Sequence, residues 1–119
     1  MTQEIDLETW DRREHYAFFA PMSHPFYSLT FPVDVTALRR RCKEEGLPFY
    51  PAMVFGVTKA MEGVEAFLYK DRNGRIVRHD RLVPSFTDLR QGSDLFHIVT
   101  LEAGEELADF CRRAKEQSA

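Results

Sequence analysis

Charge of one sign, cysteine and long apolar runs are all scarce in this chain, and each scarcity removes a class of function. The formal net charge is −3, so no general field draws the protein to nucleic acid or to an anionic membrane. No apolar run is long enough to span a bilayer. The segment Met1–Asp6 is acidic and has no signal-peptide apolar region, which makes a cytoplasmic location the expectation. The two cysteines, Cys42 and Cys111, form no metal-binding or redox spacing. Both fall in helical patterns and read as reduced thiols acting as small apolar residues. Repeats, low-complexity tracts and Gly/Ser linkers are missing as well. Residues 1–119 therefore read as a single domain, long enough to hold its own core.

What the chain has in quantity is aromatic surface: fifteen rings, ten of them Phe. Trp10 to Phe19 packs the only Trp, two adjacent Arg, a Glu, a His and three further aromatics into ten residues. On a helix, Arg12 and Phe19 lie nearly above one another, with His15 and Tyr16 between them. A guanidinium and an imidazole would then share a face with large rings, as the wall of an aromatic-ligand site or as an interface.

The patterns predict a helix over 10–20 capped by Thr9 and stopped by Pro21. An alternating strand is expected over Phe26–Phe31, ended by Pro32. A second helix, 36–45, is capped by Asp34 or Thr36 and closed by Gly46; Val35, Leu38 and Cys42 face inward. Pro51 opens a third helix, 51–62, apolar on most sides and therefore well buried. Phe67–Lys70 and Ile76–Arg78 flank a turn at Asp71–Gly74 and read as a hairpin on the strength of Asn73-Gly74. Strands follow at 82–89 and 96–101. A final amphipathic helix covers 102–116, with Leu107, Phe110, Cys111 and Ala114 inward. This order implies an α+β layered sandwich, helices packed on a largely antiparallel or mixed sheet.

Four blocks carry a family resemblance: Trp10-x-Arg12-Arg13-Glu14-His15-Tyr16, Ser28-Leu29-Thr30 followed by Val33-Asp34-Val35-Thr36, Phe49-Tyr50-Pro51-Ala52, and Phe86-Thr87 leading to Phe96. In order and spacing they resemble the amino-terminal half of a chloramphenicol acetyltransferase. That resemblance implies a partial fold of a trimeric, CoA-dependent O-acyltransferase with acetyl-CoA as co-substrate, a small aromatic hydroxyl compound as acceptor, and an antibiotic-resistance activity. It implies Phe18, Phe19, Ser23, Pro25, Tyr27 and Phe96 as acceptor-pocket residues. Arg12 matches an Arg that forms a structural salt bridge with an Asp near the catalytic His. Phe19 stands where several members have Tyr, which removes a hydroxyl contact to the acceptor.

The family's catalytic signature, H-H-x-x-x-D-G, does not occur among these residues, and none of His15, His24, His79 and His97 begins anything like it. By the same resemblance, the segments that build the CoA tunnel and donate the oxyanion-stabilising Ser are missing. No catalytic residue and no metal ligand is therefore assigned to this chain, and its cofactor-binding residues are unknown. The expectation is an acceptor-binding half that is inactive alone. It would work as a homo-oligomer or with a complementing C-terminal chain. A non-catalytic protein that binds or sequesters a small molecule is the alternative. His15 and His24 read as structural or surface groups, and His79 and Asp80, adjacent on a strand, point to opposite faces. Arg39-Arg40-Arg41-Lys43 lacks the aromatic interleaving of a nucleic-acid site and reads as a solvated helix face.

Overall fold

The computed structural model describes all 119 residues. The chain begins with a short strand, β1 (Thr2–Glu4), that pattern analysis misses. It pairs antiparallel with β3 (Arg75–His79), which pairs in turn with β2 (Tyr69–Arg72), giving a sheet of order β1-β3-β2. The β2–β3 turn is the expected one. Asn73 and Gly74 both take positive φ, 57° and 82°, as a two-residue turn of the hairpin hand requires, and the Gly74 N–H donates to Asp71 Oδ1 at 2.8 Å. A second antiparallel pair, β4 (Ser85–Leu89) and β5 (Phe96–Thr100), forms a separate sheet. The α+β class holds, with two small sheets in place of one. Leu82–Pro84 stays outside β4, and a 3-10 turn over Glu65–Leu68 replaces the start of the expected hairpin strand.

The helices are α1 (Arg13–Phe19), α2 (Thr36–Glu45), α3 (Phe49–Glu62) and α4 (Leu107–Ser118). Helix α1 starts later than expected because Asp6 organises the preceding turn. Its carbonyl accepts from the Thr9 and Trp10 N–H groups, and the Thr9 hydroxyl donates to that same carbonyl, so it caps nothing. Val35 occupies the N-cap of α2 and brings no side-chain cap, while Asp34, one residue earlier, accepts the Thr36 N–H at 2.9 Å. Gly46, at φ 66°, ends the helix in the left-handed conformation, with the Leu47 N–H returning to the Cys42 carbonyl. Helix α3 starts two residues before Pro51, which is still inside the first turn where no N–H is needed. Helix α4 starts at Leu107, not Glu102, because Gly104 turns left-handed at φ 68°. Arg113 then reaches back to the Glu102 and Ala103 carbonyls at 2.9 and 3.2 Å.

The core sits where α2, α3 and α4 meet: Cys42, Ala52, Leu107 and Cys111, flanked by Leu38, Leu47 and Phe55. Phe110 links it to the inner face of the β4–β5 pair, its ring 5.7 Å from Phe55 and 6.3 Å from Phe86. Only 12 of 119 residues are buried, so the core is sparse. Helix α3 shows this most clearly: Val57 is half-exposed, and only Ala52 and Thr58 are fully covered. The expected strand at 26–31 is likewise absent. Its alternation is that of a strand, but no strand of this chain lies beside it, and every side chain from Phe18 to Asp34 is exposed. No helix is long and apolar enough to cross a membrane.

Cys42 and Cys111 are buried free thiols, and burial, followed by the neighbouring Cys42, pushes the Cys111 pKa up. The thiolate is the reactive species. Titration with an aromatic disulfide reagent is therefore expected to detect both thiols only after denaturant is added. Rapid reaction of the native chain would show the helical core to be open.

Candidate functional site

Helix α1 and the turn before it place Trp10, Arg12, His15, Tyr16 and Phe19 on one side, with the spacing that helical periodicity requires. Tyr27 from the extended segment, Ala66 from the 3-10 turn and Tyr69 from the start of β2 close a recess of about 680 Å³ around them. Trp10 is the hub. Its ring centroid lies 5.0 Å from Tyr69 and 6.1 Å from Tyr16, tilted at 56° and 55°. These are favourable offset geometries for aromatic pairs. The indole N–H is buried without an acceptor.

Hydrogen bonds at the rear fix the ring orientations. The Tyr16 hydroxyl donates to Asp71 Oδ2 at 2.8 Å, and that bond to a carboxylate raises the phenol pKa. The Tyr69 hydroxyl donates to Glu65 at 3.1 Å, and Arg78 grips the same carboxylate with two N–H donors at 2.7 and 3.1 Å. Those bonds, Arg78 first and Tyr69 second, hold the Glu65 carboxyl below its ordinary range, with a smaller contribution from the positive charge of Arg12. Arg78 also donates to Asp80, which accepts from the N-terminal ammonium of β1. The small sheet therefore braces the recess.

Of the acceptor-pocket and salt-bridge residues that the resemblance implies, Arg12, Phe19 and Tyr27 line this recess and the others do not. Phe18 stands edge-on to Phe19 at 5.0 Å on the outer surface, and Ser23 and Pro25 lie exposed on the following loop, Ser23 within 3.2 Å of His24. Phe96 is on the open face of the β4–β5 pair, opposite Leu89. Arg12 makes no ion pair within the chain, so the salt bridge expected of it is not formed by these residues. Tyr69 was missed because the face a β2 side chain takes depends on pairing with β3, and Ala66 because it lies in a 3-10 turn where a strand was expected to begin. A second recess, about 640 Å³, separates α3 from the segment Arg81–Phe86; Met53, Val57 and Met61 floor it and Lys70, Arg72 and Arg81 stand at its rim.

Chemically, the first recess offers flat π faces and one unpaired guanidinium, a combination that holds an aromatic ring by stacking and cation–π contact. It contains no His–carboxylate pair. His15 is on its wall with no hydrogen-bond partner to orient it as a base. No group of three His, Cys, Asp or Glu residues is placed to hold a metal ion.

The sequence profile of the family described as Chloramphenicol acetyltransferase matches residues 1–119. The chain belongs to the chloramphenicol acetyltransferase family. Chloramphenicol acetyltransferase 2 of Escherichia coli is 31% identical over 106 residues, covering 89% of this chain and 50% of that protein. The corresponding enzyme of Haemophilus influenzae is 27% identical over the same shares of each chain, and a relative from Clostridium perfringens is 26% identical. A solved chloramphenicol acetyltransferase superposes with a TM-score of 0.88 at 26% identity, covering 98% of this chain and 55% of the other. The chain spans about half the length of the curated relatives it matches.

Proposed function

We propose that residues 1–119 are the acceptor-binding half of a CoA-dependent O-acyltransferase acting on the hydroxyl of a small aromatic compound. The observation that carries this reading is the recess itself: Arg12, Phe19 and Tyr27 converge with Trp10 and Tyr69 around a volume fit for one ring system, and no activated base stands beside it. The chain holds and orients the acceptor. A His outside these residues takes the hydroxyl proton, the oxygen attacks the thioester carbonyl, and the CoA thiol leaves with that proton. Acetyl-CoA is the family's co-substrate, and the chain by itself holds it weakly. Phe18, Ser23, Pro25 and Phe96 join the acceptor site only once further protein covers their surfaces, and Arg12 finds its carboxylate there. Self-association, or a complementing C-terminal chain, supplies that cover.

Trp10 is the only tryptophan and forms part of the recess wall, so its fluorescence reports occupancy. Titration with an aromatic alcohol is expected to quench it saturably, and Phe19→Ala or Tyr27→Ala to weaken binding by about 3- to 10-fold, the value of one aromatic pair. Absence of saturation up to millimolar ligand would overturn the acceptor reading. Saturable binding that persists in a fully complemented, yet inactive, assembly would favour the second reading, a binding or sequestering protein.

A further inference from the structure

We infer that Asn73-Gly74, at the tip of the β2–β3 hairpin, is a self-modification site where the folded chain deamidates. Asp71 is the latch that sets the rate. The site is independent of acyl transfer and of the acceptor recess.

The chemistry needs only the chain and water. The Gly74 backbone nitrogen gives its proton to hydroxide and attacks the Asn73 side-chain carbonyl carbon. The bond from that carbon to the amide nitrogen breaks, and ammonia leaves with a proton from water, which regenerates the hydroxide. A second water opens the resulting cyclic imide at either carbonyl. One opening gives aspartate; the other routes the backbone through the side chain as isoaspartate. Glycine favours the attack because it has no Cβ to shield its nitrogen. Asn73 is the chain's only asparagine, and Asp71 to Arg75 are all exposed. A Cβ built on Gly74 would meet nothing within 4 Å, so the peptide has open space around it.

The turn supplies the motion that the attack requires. Asn73 and Gly74 both have positive φ, the type I′ pattern. In that turn ψ of the first residue is about +30°, which directs the next nitrogen away from its side chain. Ring closure needs a value near about −120°, which belongs to the other hairpin turn, type II′. The two turns differ by one rotation of the Asn73-Gly74 peptide plane. Asn73 keeps its positive φ, and only Gly74 changes sign, which glycine does without strain. Both turns suit the same pair of strands, so Arg72 stays opposite Arg75 throughout. The reactive geometry is reached without opening the hairpin.

Asp71 holds the peptide in its present orientation. Its Oδ1 accepts the Gly74 N–H at 2.8 Å, and that proton is the one the attack must remove. The bond has to break before the peptide rotates, and the carboxylate charge opposes formation of the amide anion. The other oxygen, Oδ2, accepts from the Tyr16 hydroxyl at 2.8 Å, so the two bonds of this carboxylate can be removed one at a time. The latch joins residues on the two sides of the turn and exists only while the hairpin does.

The test follows conversion of Asn73 by peptide mass spectrometry at mildly alkaline pH, with isoaspartyl methyltransferase labelling of the product. The folded chain is expected to react about 10-fold more slowly than the same chain in urea, the value of a hydrogen bond to a charged group. Asp71→Ala should speed the folded chain by about the same 10-fold and leave the rate in urea unchanged. Tyr16→Phe removes only the bond to Oδ2 and should leave the folded rate as it is. Far-UV circular dichroism confirms the fold of each variant. If it shows the hairpin lost in Asp71→Ala, Asp71→Asn keeps the shape, removes the charge and takes its place. Conversion in urea with none in the folded chain would overturn the site. Equal folded rates with and without the Asp71 carboxylate, or equal acceleration by Tyr16→Phe, would overturn the latch.

Discussion

Purified chain mixed with acetyl-CoA and an aromatic alcohol is expected to release no CoA thiol above the uncatalysed background. A positioned general base contributes about 10²–10⁴-fold to such a step, and oxyanion donors about 10²–10³-fold more. The chain presents neither at the recess. His15 lines it but has no hydrogen-bond partner, and His79 and His97 belong to the two sheets, where His97 leaves both ring nitrogens buried and unbonded. Positioning of the acceptor alone cannot replace proton removal. Adding a polypeptide that carries the H-H-x-x-x-D-G half should restore thiol release by several orders of magnitude, provided it also covers α3 and the open strand faces. A thiol-trapping assay run with and without that polypeptide checks both halves of the statement. Clear turnover by the pure chain would end the division of labour proposed here.

The same division explains which features were legible in the sequence. Local signals sufficed where the structure is local. Asn73-Gly74 fixed the β2–β3 hairpin, the spacing of Leu107, Phe110, Cys111 and Ala114 gave the buried stripe of α4, and Gly46 marked the end of α2. Helical periodicity also placed Arg12, His15, Tyr16 and Phe19 on one wall, and they do line one recess. Signals that depend on a tertiary partner misled. The alternation of 26–31 is that of a strand, but a strand exists only once a neighbour accepts its hydrogen bonds, and this chain offers none. Helix α3 reads as buried because its residues are apolar, yet apolarity states what a helix needs, not what surrounds it. β1 is only three residues long, and pairing with β3 alone defines it. The site divides along the same line: the helical wall was readable, whereas Tyr69 reaches it through sheet pairing, Ala66 through the 3-10 turn before it, and Phe96 lies on another surface.

Phe110→Ala is expected to abolish cooperative folding of the isolated chain at 25 °C. Removing a buried Phe costs about 3–5 kcal/mol, because its transfer free energy is lost and a cavity remains. Domains are stable by about 5–15 kcal/mol, and one that buries so few residues belongs at the bottom of that range. Position matters as much as size. Phe110 is fully buried, touches Phe55 of α3 and Phe86 of β4, and has the Arg113 guanidinium 5.9 Å from its ring centre. Its loss therefore uncouples the helical cluster from the β4–β5 pair; it does more than loosen one contact. The comparison is Leu89→Ala, on the open face of that pair, which should leave the thermal midpoint of the monomeric chain nearly unchanged. Thermal melts followed by circular dichroism distinguish the two. A Phe110→Ala chain that still melts cooperatively near the unmodified temperature would mean that the helices and the hairpin hold together through contacts other than this ring, and that the sparse core is not what limits the stability of the half-fold.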